Sequence, residues 1–235
     1  MNPHYTYFLI LATSILGPLA LSFDKKVAFW KQYRYLFAAM VLPALFYISW
    51  DAWFTVHGVW WFNEAYITGF KIAGLPIEEI LFFFVVPYCC VFIYECIRCY
   101  FPKIKNNFFA ENILKGLAII FLLLGFLYED KAYTFFSFFF FAVFVILYFL
   151  LKKYFSSFNI TTFLIAWLIT LIPFLIVNGF LTALPVVLYN DAENLGKRID
   201  TIPIEDIVYG MLLIMLNIIL FEKLREKRKS KNIPA

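Results

Sequence analysis

The chain has 235 residues, of which 63% are apolar, 22% are aromatic and only 15% are charged. An ordinary soluble domain carries about 25% charged residues, so this composition excludes that class and indicates an integral membrane protein in contact with a lipid bilayer. The net charge of +4 is modest and resides in short segments, which indicates membrane topology and no nucleic-acid partner. Residues 1–7 lack the basic region of a signal peptide, so we expect the first apolar segment to be retained.

Seven apolar segments approach the roughly 20 residues that a helix needs to cross a bilayer. We place them at residues 5–23, 35–50, 76–97, 113–128, 132–151, 160–177 and 203–221. Basic side chains follow the first, third, fifth and seventh segments, at Lys25, Lys26, Lys31, Arg34, Arg98, Lys103, Lys105, Lys115, Lys152, Lys153, Lys223, Arg225, Lys227, Arg228, Lys229 and Lys231. Because Lys and Arg in short loops favour the cytoplasmic side, we expect the amino terminus outside and the carboxyl terminus inside, in what we take to be a bacterial cytoplasmic membrane.

Residues 50–98 align with residues 177–225 without a gap, at a constant offset of 127. Identical polar, glycine and proline positions include Thr55/Thr182, Asn63/Asn190, Gly69/Gly196, Pro76/Pro203, Glu78/Glu205, Glu95/Glu222 and Arg98/Arg225. Hydrophobicity alone does not produce such agreement, so we infer an internal repeat. The units are residues 1–105 and 131–235, each with three spans, and residues 106–130 form a linker helix. This extra span leaves both units in the same direction, so the predicted fold is an all-α integral membrane protein with about seven transmembrane helices in two parallel three-helix repeats.

Two acidic pairs, Glu78-Glu79 and Glu205-Asp206, stand at equivalent starts of the third and seventh spans. A carboxylate in a hydrocarbon-facing segment costs about 2.5–3.5 kcal/mol, which makes it a candidate for function. Acids in a first helical turn also interact favourably with the helix dipole, by about 0.3–1 kcal/mol each, and this role would explain a single pair equally well. Because the pair occurs twice, and a pseudo-twofold axis along the membrane normal could bring both pairs to a similar depth, we favour a functional role; whether the pairs form one composite site or two sites stays open.

The connections before the acidic pairs are too apolar for ordinary loops, and glycines interrupt them. We predict that they form a short interfacial or re-entrant cap over the acidic pairs, because non-helical backbone in a membrane must be covered by protein or line a cavity. Trp60, with Trp53, Trp61 and Phe62, fits the aromatic belt at the membrane interface. Trp60 is also a candidate for substrate positioning.

Several other polar residues admit two interpretations. Asn63 and Asn190 each precede an acid, so a turn is as good an interpretation as positioning of the substrate or of an acid. Asp51 aligns with Asn178, and the two either make a polar contact across the repeat axis or face water at the ends of their spans.

Two further groups of residues are interpreted as structural. Glu95 and Glu222 each precede an arginine by three residues, which is the spacing of an ion pair within a helix. The lone CxxC at Cys96 and Cys99 has no second CxxC and no nearby histidine, so we predict no metal site.

The first repeat contains Asn63 and Pro76-Ile77-Glu78-Glu79, followed by Phe82-Phe83-Phe84, and the second repeat contains the matching Asn190 and Pro203-Ile204-Glu205-Asp206. In these features the chain resembles the membrane lycopene cyclases of the heterodimeric or fused type. In that family two small three-span subunits, or one chain containing both, carry a Pro-x-Glu-Glu/Asp motif at a helix start. The resemblance covers nearly the whole chain, with the fourth span as the fusion linker. The second copy departs from the pattern at Asp206 and at Val208-Tyr209-Gly210, which puts equivalent action of the two halves in doubt.

The resemblance implies redox-neutral cyclisation of the linear ψ end group of a carotenoid, as in the conversion of lycopene to γ- and β-carotene. The residues fit this chemistry, because protonation at C2 needs a neutral acid, which burial beside a second carboxylate favours, and a base must then remove a proton from C6. We assign Glu78 and Glu205 as the leading acid and base, in an order left open, with Glu79 and Asp206 as partners that share the proton. The ring type, β, ε or γ, also stays open.

The expected partners are the bilayer and the linear carotenoid substrate, and contact with other carotenoid enzymes is a further expectation. No GxGxxG motif follows a strand, so we expect neither a flavin nor another cofactor.

The alternative function is a proton-coupled transporter or carotenoid carrier, because repeated membrane carboxylates also suit proton relays. No visible break interrupts the third and seventh spans in mid-membrane, which disfavours this alternative. A retinal-binding photoreceptor needs a lysine in its seventh helix, and residues 203–221 contain none. A prenyltransferase has no support, because paired Asp-rich motifs for magnesium diphosphate are absent.

Overall fold

The computed structural model describes residues 2–231, with side chains described as far as Glu226. Within this part of the chain seven helices are long and apolar enough to cross a membrane, as predicted. They are α1 (Thr6–Leu21), α2 (Tyr33–Val56), α3 (Ile77–Tyr100), α4 (Phe108–Leu127), α5 (Ala132–Leu150), α6 (Ile160–Ala183) and α7 (Glu205–Lys231). The predicted basic tail therefore continues α7 as far as Lys231, and residues 232–235 lie outside the described part.

Several helices extend beyond their predicted ends. Helices α2 and α6 reach Val56 and Ala183, past the predicted ends at 50 and 177, because the polar residues that suggested those ends are buried inside the protein. Helix α4 begins at Phe108, before the predicted start at 113. The Asn107 side chain caps it by accepting a hydrogen bond from the Ala110 N–H at 2.7 Å. Lys115, counted above with an inner loop, therefore lies inside α4.

The two repeats interlock. Within each repeat the first helix packs on the third, α1 on α3 and α5 on α7. The middle helix of each repeat packs across the axis, so that α2 lies against α7 and α6 against α3. Linker helix α4 packs mainly on α5. The site-bearing helices α3 and α7 are therefore central, and each contacts helices from both repeats.

Short strands close the outer end of the bundle. Strands β1 (Trp60–Phe62) and β4 (Val187–Tyr189), one from each repeat, pair antiparallel with Trp61 opposite Leu188. The hairpins β2–β3 (Lys71–Ile72, Leu75–Pro76) and β5–β6 (Arg198–Ile199, Ile202–Pro203) follow and lead into α3 and α7. The predicted cap over the acidic pairs is thus a pair of strands shared by both repeats, and no re-entrant helix is present among the described residues. Sequence analysis missed these strands because each spans only two or three residues.

The inner ends of α3 and α7 are joined by a network of buried ions. Arg98 contacts Glu95 at 3.2 Å and Glu222 of the other repeat at 2.9 Å. Arg225 contacts Glu222 and reaches across to Glu95 at 3.0 Å. The predicted ion pairs within each helix are confirmed, and the cross-repeat pairs add a four-membered link between the two repeats. This link fixes α3 beside α7 at the end opposite the acidic pairs.

Candidate active site

A narrow cavity of about 50 Å³ lies directly under the strand cap, between the two repeats. Both repeats supply its walls, through helices α1 to α3 and α5 to α7 and through strands β1 and β4. Its lining residues are Tyr7, Asp51, Trp60, Phe62, Glu79, Phe82, Val86, Tyr133, Phe174, Asn178, Leu181, Thr182, Val187, Tyr189, Asp206, Tyr209, Gly210 and Leu213. Three carboxyl groups and four tyrosines therefore meet in one largely buried space, as a single composite site.

The two members of each acidic pair point in different directions. Glu79 and Asp206 line the cavity, whereas Glu78 and Glu205 do not. Glu78 accepts a hydrogen bond from the Thr68 N–H at 2.8 Å, and Glu205 accepts the equivalent bond from the Leu195 N–H at 2.8 Å. Successive helix residues point about 100° apart, which explains the division. The first acid of each pair thus holds the cap, and the second faces the cavity.

In the first repeat, the Glu79 carboxyl has one hydroxyl donor and one carboxyl neighbour. The Tyr7 hydroxyl donates to Glu79 at 2.6 Å. The Asp51 side chain, from α2, lies beside the Glu79 carboxyl on the cavity wall, and Tyr209 of the other repeat donates to Asp51 at 2.6 Å. Two neighbouring carboxyl groups in a buried space repel each other when both are ionised, which favours one proton shared between them. The arrangement therefore suits a proton held by the Asp51–Glu79 pair beside the cavity.

In the second repeat, the equivalent acid is surrounded by donors. Asp206 accepts hydrogen bonds from the Tyr133 hydroxyl, from the Asn178 amide at 3.2 Å and from the Tyr189 hydroxyl at 3.0 Å. Asn178 stands where the first repeat has Asp51, so an amide donor replaces a carboxyl group at this position. Burial, followed by the nearby charge of Asp206, raises the pKa of Tyr189 well above its ordinary value, which keeps this hydroxyl protonated and donating. Three donors suit an ionised carboxylate at Asp206.

Aromatic rings cover the carboxyl groups on the outer side. The Trp60 ring lies 5.1 Å from Tyr133, 5.9 Å from Tyr189 and 6.1 Å from Tyr209, measured between ring centroids. Trp60 is buried, at 4% exposure, so these rings shield the cavity from water. Aromatic rings on a cavity wall attract a cation that comes within about 6 Å of a ring centroid, and a dry wall keeps water from attacking that cation. The site can therefore hold a short-lived carbocation between an acid and a base.

The other predicted site residues have different positions. Trp60 lies on the cavity, as expected of a substrate-positioning residue, and not on the exposed aromatic belt. Asn63 and Asn190 lie at the ends of the cap strands and form turns, in which their side chains accept from the Ala65 N–H at 3.0 Å and the Ala192 N–H at 3.1 Å. The two asparagines therefore shape the cap and do not line the cavity.

Sequence analysis missed most partners of the two cavity acids. It noted the alignment of Asp51 with Asn178, but the structure pairs each with the acid of its own repeat and not with each other. Tyr7 and Tyr133 stand near the starts of the first and fifth spans, and this matching position was the one available signal for them. A single tyrosine in a chain that has 15 of them does not stand out.

The departure of the second copy at Tyr209 and Gly210 has a structural reason. Tyr209 replaces Phe82 of the first copy and supplies the hydroxyl that binds Asp51. Gly210 replaces Phe83, and a Cβ atom there would lie 3.0 Å from the Phe174 ring. Gly210 therefore leaves space for the Phe174 ring, and Tyr209 supplies a hydrogen-bond donor to Asp51 of the first repeat. The two repeats thus have complementary and not equivalent roles in the site.

Comparisons with known proteins agree with this architecture. The sequence model of a family described as lycopene cyclase matches residues 4–97 and 130–224, two segments that contain the two repeats. A 56-residue segment is 41% identical to a lycopene beta-cyclase in each of two strains of Halobacterium salinarum, and covers 24% of this chain and 24% of each relative. No solved structure matches the chain significantly. Because the family match extends over most of the chain, the protein belongs to the lycopene cyclase family.

Proposed function

We propose that this protein is an enzyme of carotenoid biosynthesis that cyclises the linear ψ end group of lycopene, or of a related carotene, to a β-ionone-type ring. The observation that carries the proposal is the pairing of unlike carboxyl sites in one cavity, two neighbouring carboxyl groups at Asp51 and Glu79 and a single carboxyl group with three donors at Asp206. Family membership and the lycopene beta-cyclases of Halobacterium salinarum support it.

The Asp51–Glu79 pair acts as the acid. It donates its shared proton to C2 of the terminal double bond, which leaves a cation at C1. The electrons of the C5–C6 double bond then form the C1–C6 bond, and the positive charge moves to C5. This replaces the initial assignment of Glu78 and Glu205, because neither of those side chains reaches the cavity.

Asp206 acts as the base. It removes the proton from C6, and the C5–C6 double bond re-forms within the ring. One proton enters the substrate and one leaves, so the reaction is an isomerisation that needs no net oxidation or reduction. We therefore propose that it proceeds without a bound flavin. The proton passes back to the Asp51–Glu79 pair before the next turnover.

The substrate arrives from the bilayer, since a linear carotene is almost insoluble in water and all seven helices suit a membrane. We place the amino terminus outside and the carboxyl terminus in the cytoplasm, because Lys and Arg concentrate in the loops on the side of the α7 carboxyl end. The site then lies near the outer face of what we take to be a bacterial cytoplasmic membrane. Direct contact with the enzyme that supplies the linear carotene would shorten the path of this insoluble substrate.

Expression in cells that accumulate lycopene tests the proposal. We expect ring-containing carotenes to appear on chromatography, in membranes washed free of soluble flavin. The Asp206→Asn variant is the matched control, and we expect it to reach the membrane at the same level and to cyclise lycopene about 10²- to 10⁴-fold more slowly. Unchanged lycopene with wild-type protein present in the membrane would contradict the cyclase function and favour the carrier alternative. Loss of activity on flavin removal, restored by flavin, would contradict the redox-neutral, flavin-free step.

A further inference from the structure

Two apolar grooves run along the sides of the bundle at positions related by the repeat. The first groove lies between α1, α3 and α6, has a volume of about 180 Å³, and includes Cys89 and Ile93. The second groove lies between α2, α5 and α7, has a volume of about 370 Å³, and includes Leu216 and Leu220, the residues aligned with Cys89 and Ile93. The repeat therefore produces two candidate paths for an apolar chain.

Of the two grooves, only the first adjoins the cavity. Val86, Phe174 and Asn178 line both spaces, whereas the second groove has no lining residue in common with the cavity. The first groove also reaches the lipid-facing surface, where Pro173 is exposed. This groove therefore lies between the lipid-facing surface and the cavity that contains the carboxyl groups.

The second groove is closed off by aromatic packing. Tyr47, aligned with Phe174, is fully buried and donates a hydrogen bond to the Tyr209 carbonyl at 2.9 Å. The Trp50 ring lies 5.4 Å from the Tyr47 ring and 5.0 Å from the Tyr209 ring. In the first groove a valine, Val177, takes the place of this tryptophan. Two buried rings, those of Tyr47 and Trp50, therefore fill the space between the larger groove and the cavity wall at Tyr209.

We propose that the first groove holds the polyene of the carotenoid while the end of the same molecule lies in the cavity. This inference rests on the proposed function. A conjugated polyene is a narrow, stiff, apolar rod, and the first groove is an apolar space that adjoins the wall of the cavity in which the acid and the base lie. The shape and chemistry of this occupant match the space from lipid to cavity.

One consequence concerns the order of ring formation. A single cavity with a single lateral groove admits one chain end at a time. A carotene with two ψ ends must therefore leave the groove after the first ring has formed and re-enter with its other end first. The carotene with one ring is therefore released as an intermediate. It is then consumed by a second cyclisation at the same site.

Matched tryptophan variants test the groove. Cys89→Trp narrows the first groove, and Leu216→Trp makes the same change at the aligned position of the second. Each variant is assayed with lycopene and with a short analogue that has the ψ end group but only a few conjugated double bonds. The measured quantity is the ratio of the cyclisation rate on lycopene to the rate on the short analogue, which cancels differences in folded protein.

We expect Cys89→Trp to lower this ratio by about tenfold or more, which corresponds to about 1.4 kcal/mol, because the indole ring would occupy space that the polyene needs. We expect Leu216→Trp to leave the ratio unchanged. A fall with Leu216→Trp, or an unchanged ratio with Cys89→Trp, would overturn the assignment of the polyene to the first groove while the cyclase function stands. Absence of ring products from the wild-type protein with either substrate would instead overturn the proposed function itself, and this inference with it.

Discussion

The two repeats are alike at their inner ends and different at their outer ends. At the inner end, Glu95 and Arg98 of one repeat form ion pairs with Glu222 and Arg225 of the other, and the same two residue types occupy both positions. At the outer end, Asp51 faces Glu79 in one repeat, whereas an amide faces the equivalent acid in the other. The inner ends of the two repeats are therefore joined by identical residue types. At the outer ends the residue types differ, and this difference assigns the acid to one repeat and the base to the other.

This difference shows how a duplicated unit can supply both an acid and a base. Two identical sites facing each other would hold their protons equally, and neither would have a reason to donate. Replacing one carboxyl group by an amide removes the shared proton from that side and adds a donor, which favours the ionised form of Asp206. The comparison yields three predictions.

The largest effect is expected from Asp51→Asn, which gives the first repeat the residue type of the second. The shared proton is lost, and turnover of lycopene should fall by about 10²- to 10⁴-fold, as for removal of a general acid. The measurement is the initial rate in isolated membranes, normalised to the amount of protein. Glu78→Gln is the control, because the amide oxygen can still accept from the Thr68 N–H, and its loss should be far smaller. Equal losses in both variants would contradict the division between cavity and cap.

The second prediction concerns the ion pairs that join the inner ends of the two repeats. Arg225→Met removes a buried cation and leaves only the partly exposed Arg98 to neutralise Glu95 and Glu222, which should lower the free energy of unfolding by about 3–5 kcal/mol. Arg98→Met should cost less, because the Arg98 side chain is 36% exposed and water screens its charge. Thermal unfolding of the purified protein in detergent measures both variants. A larger loss from Arg98→Met would show that the link is not held mainly by Arg225.

The smallest effect is expected from Tyr189→Phe, which introduces the residue type found at the aligned position of the first repeat, Phe62. Asp206 keeps two of its three donors, Tyr133 and Asn178. Loss of one hydrogen bond should lower turnover by less than about tenfold. Initial rates in membranes measure it. Complete loss of activity would indicate that Tyr189 itself transfers a proton, and not that it only supports Asp206.

Most of the fold was predictable, because long apolar segments and basic loops report directly on contact with lipid and water. The seven spans and the repeat follow from that relation and from the matching polar residues. The outer ends of α2 and α6 were not predictable in this way, because Asp51 and Asn178 are hydrophilic residues that the protein interior buries at 1% and 8% exposure. Hydropathy describes a residue's preference for lipid or water and contains no information on a buried polar partner.

The site was predictable to the level of its motif and no further. The repeated acidic pairs pointed to the outer ends of α3 and α7, which border the candidate cavity, but neighbouring residues on a helix differ only in direction. Which of Glu78 and Glu79 faces the cavity depends on where β1 and β4 place the cap, and these strands have no pattern in sequence. The donors Tyr7, Tyr133 and Tyr189 come from helix α1, helix α5 and strand β4, and only their packing brings them to the carboxyl groups.

The assignment of acid and base is tested most directly by isotope effects on a single turnover in membranes. In the Asp51→Asn variant, proton donation should limit the rate, so exchange of water for heavy water should slow ring formation more than in the wild-type protein. In the Asp206→Asn variant, removal of the C6 proton should be limiting, so lycopene deuterated at C6 should react more slowly than ordinary lycopene. If the C6 isotope effect instead appears with Asp51→Asn, and the solvent effect with Asp206→Asn, then the acid and the base are assigned to the wrong repeats.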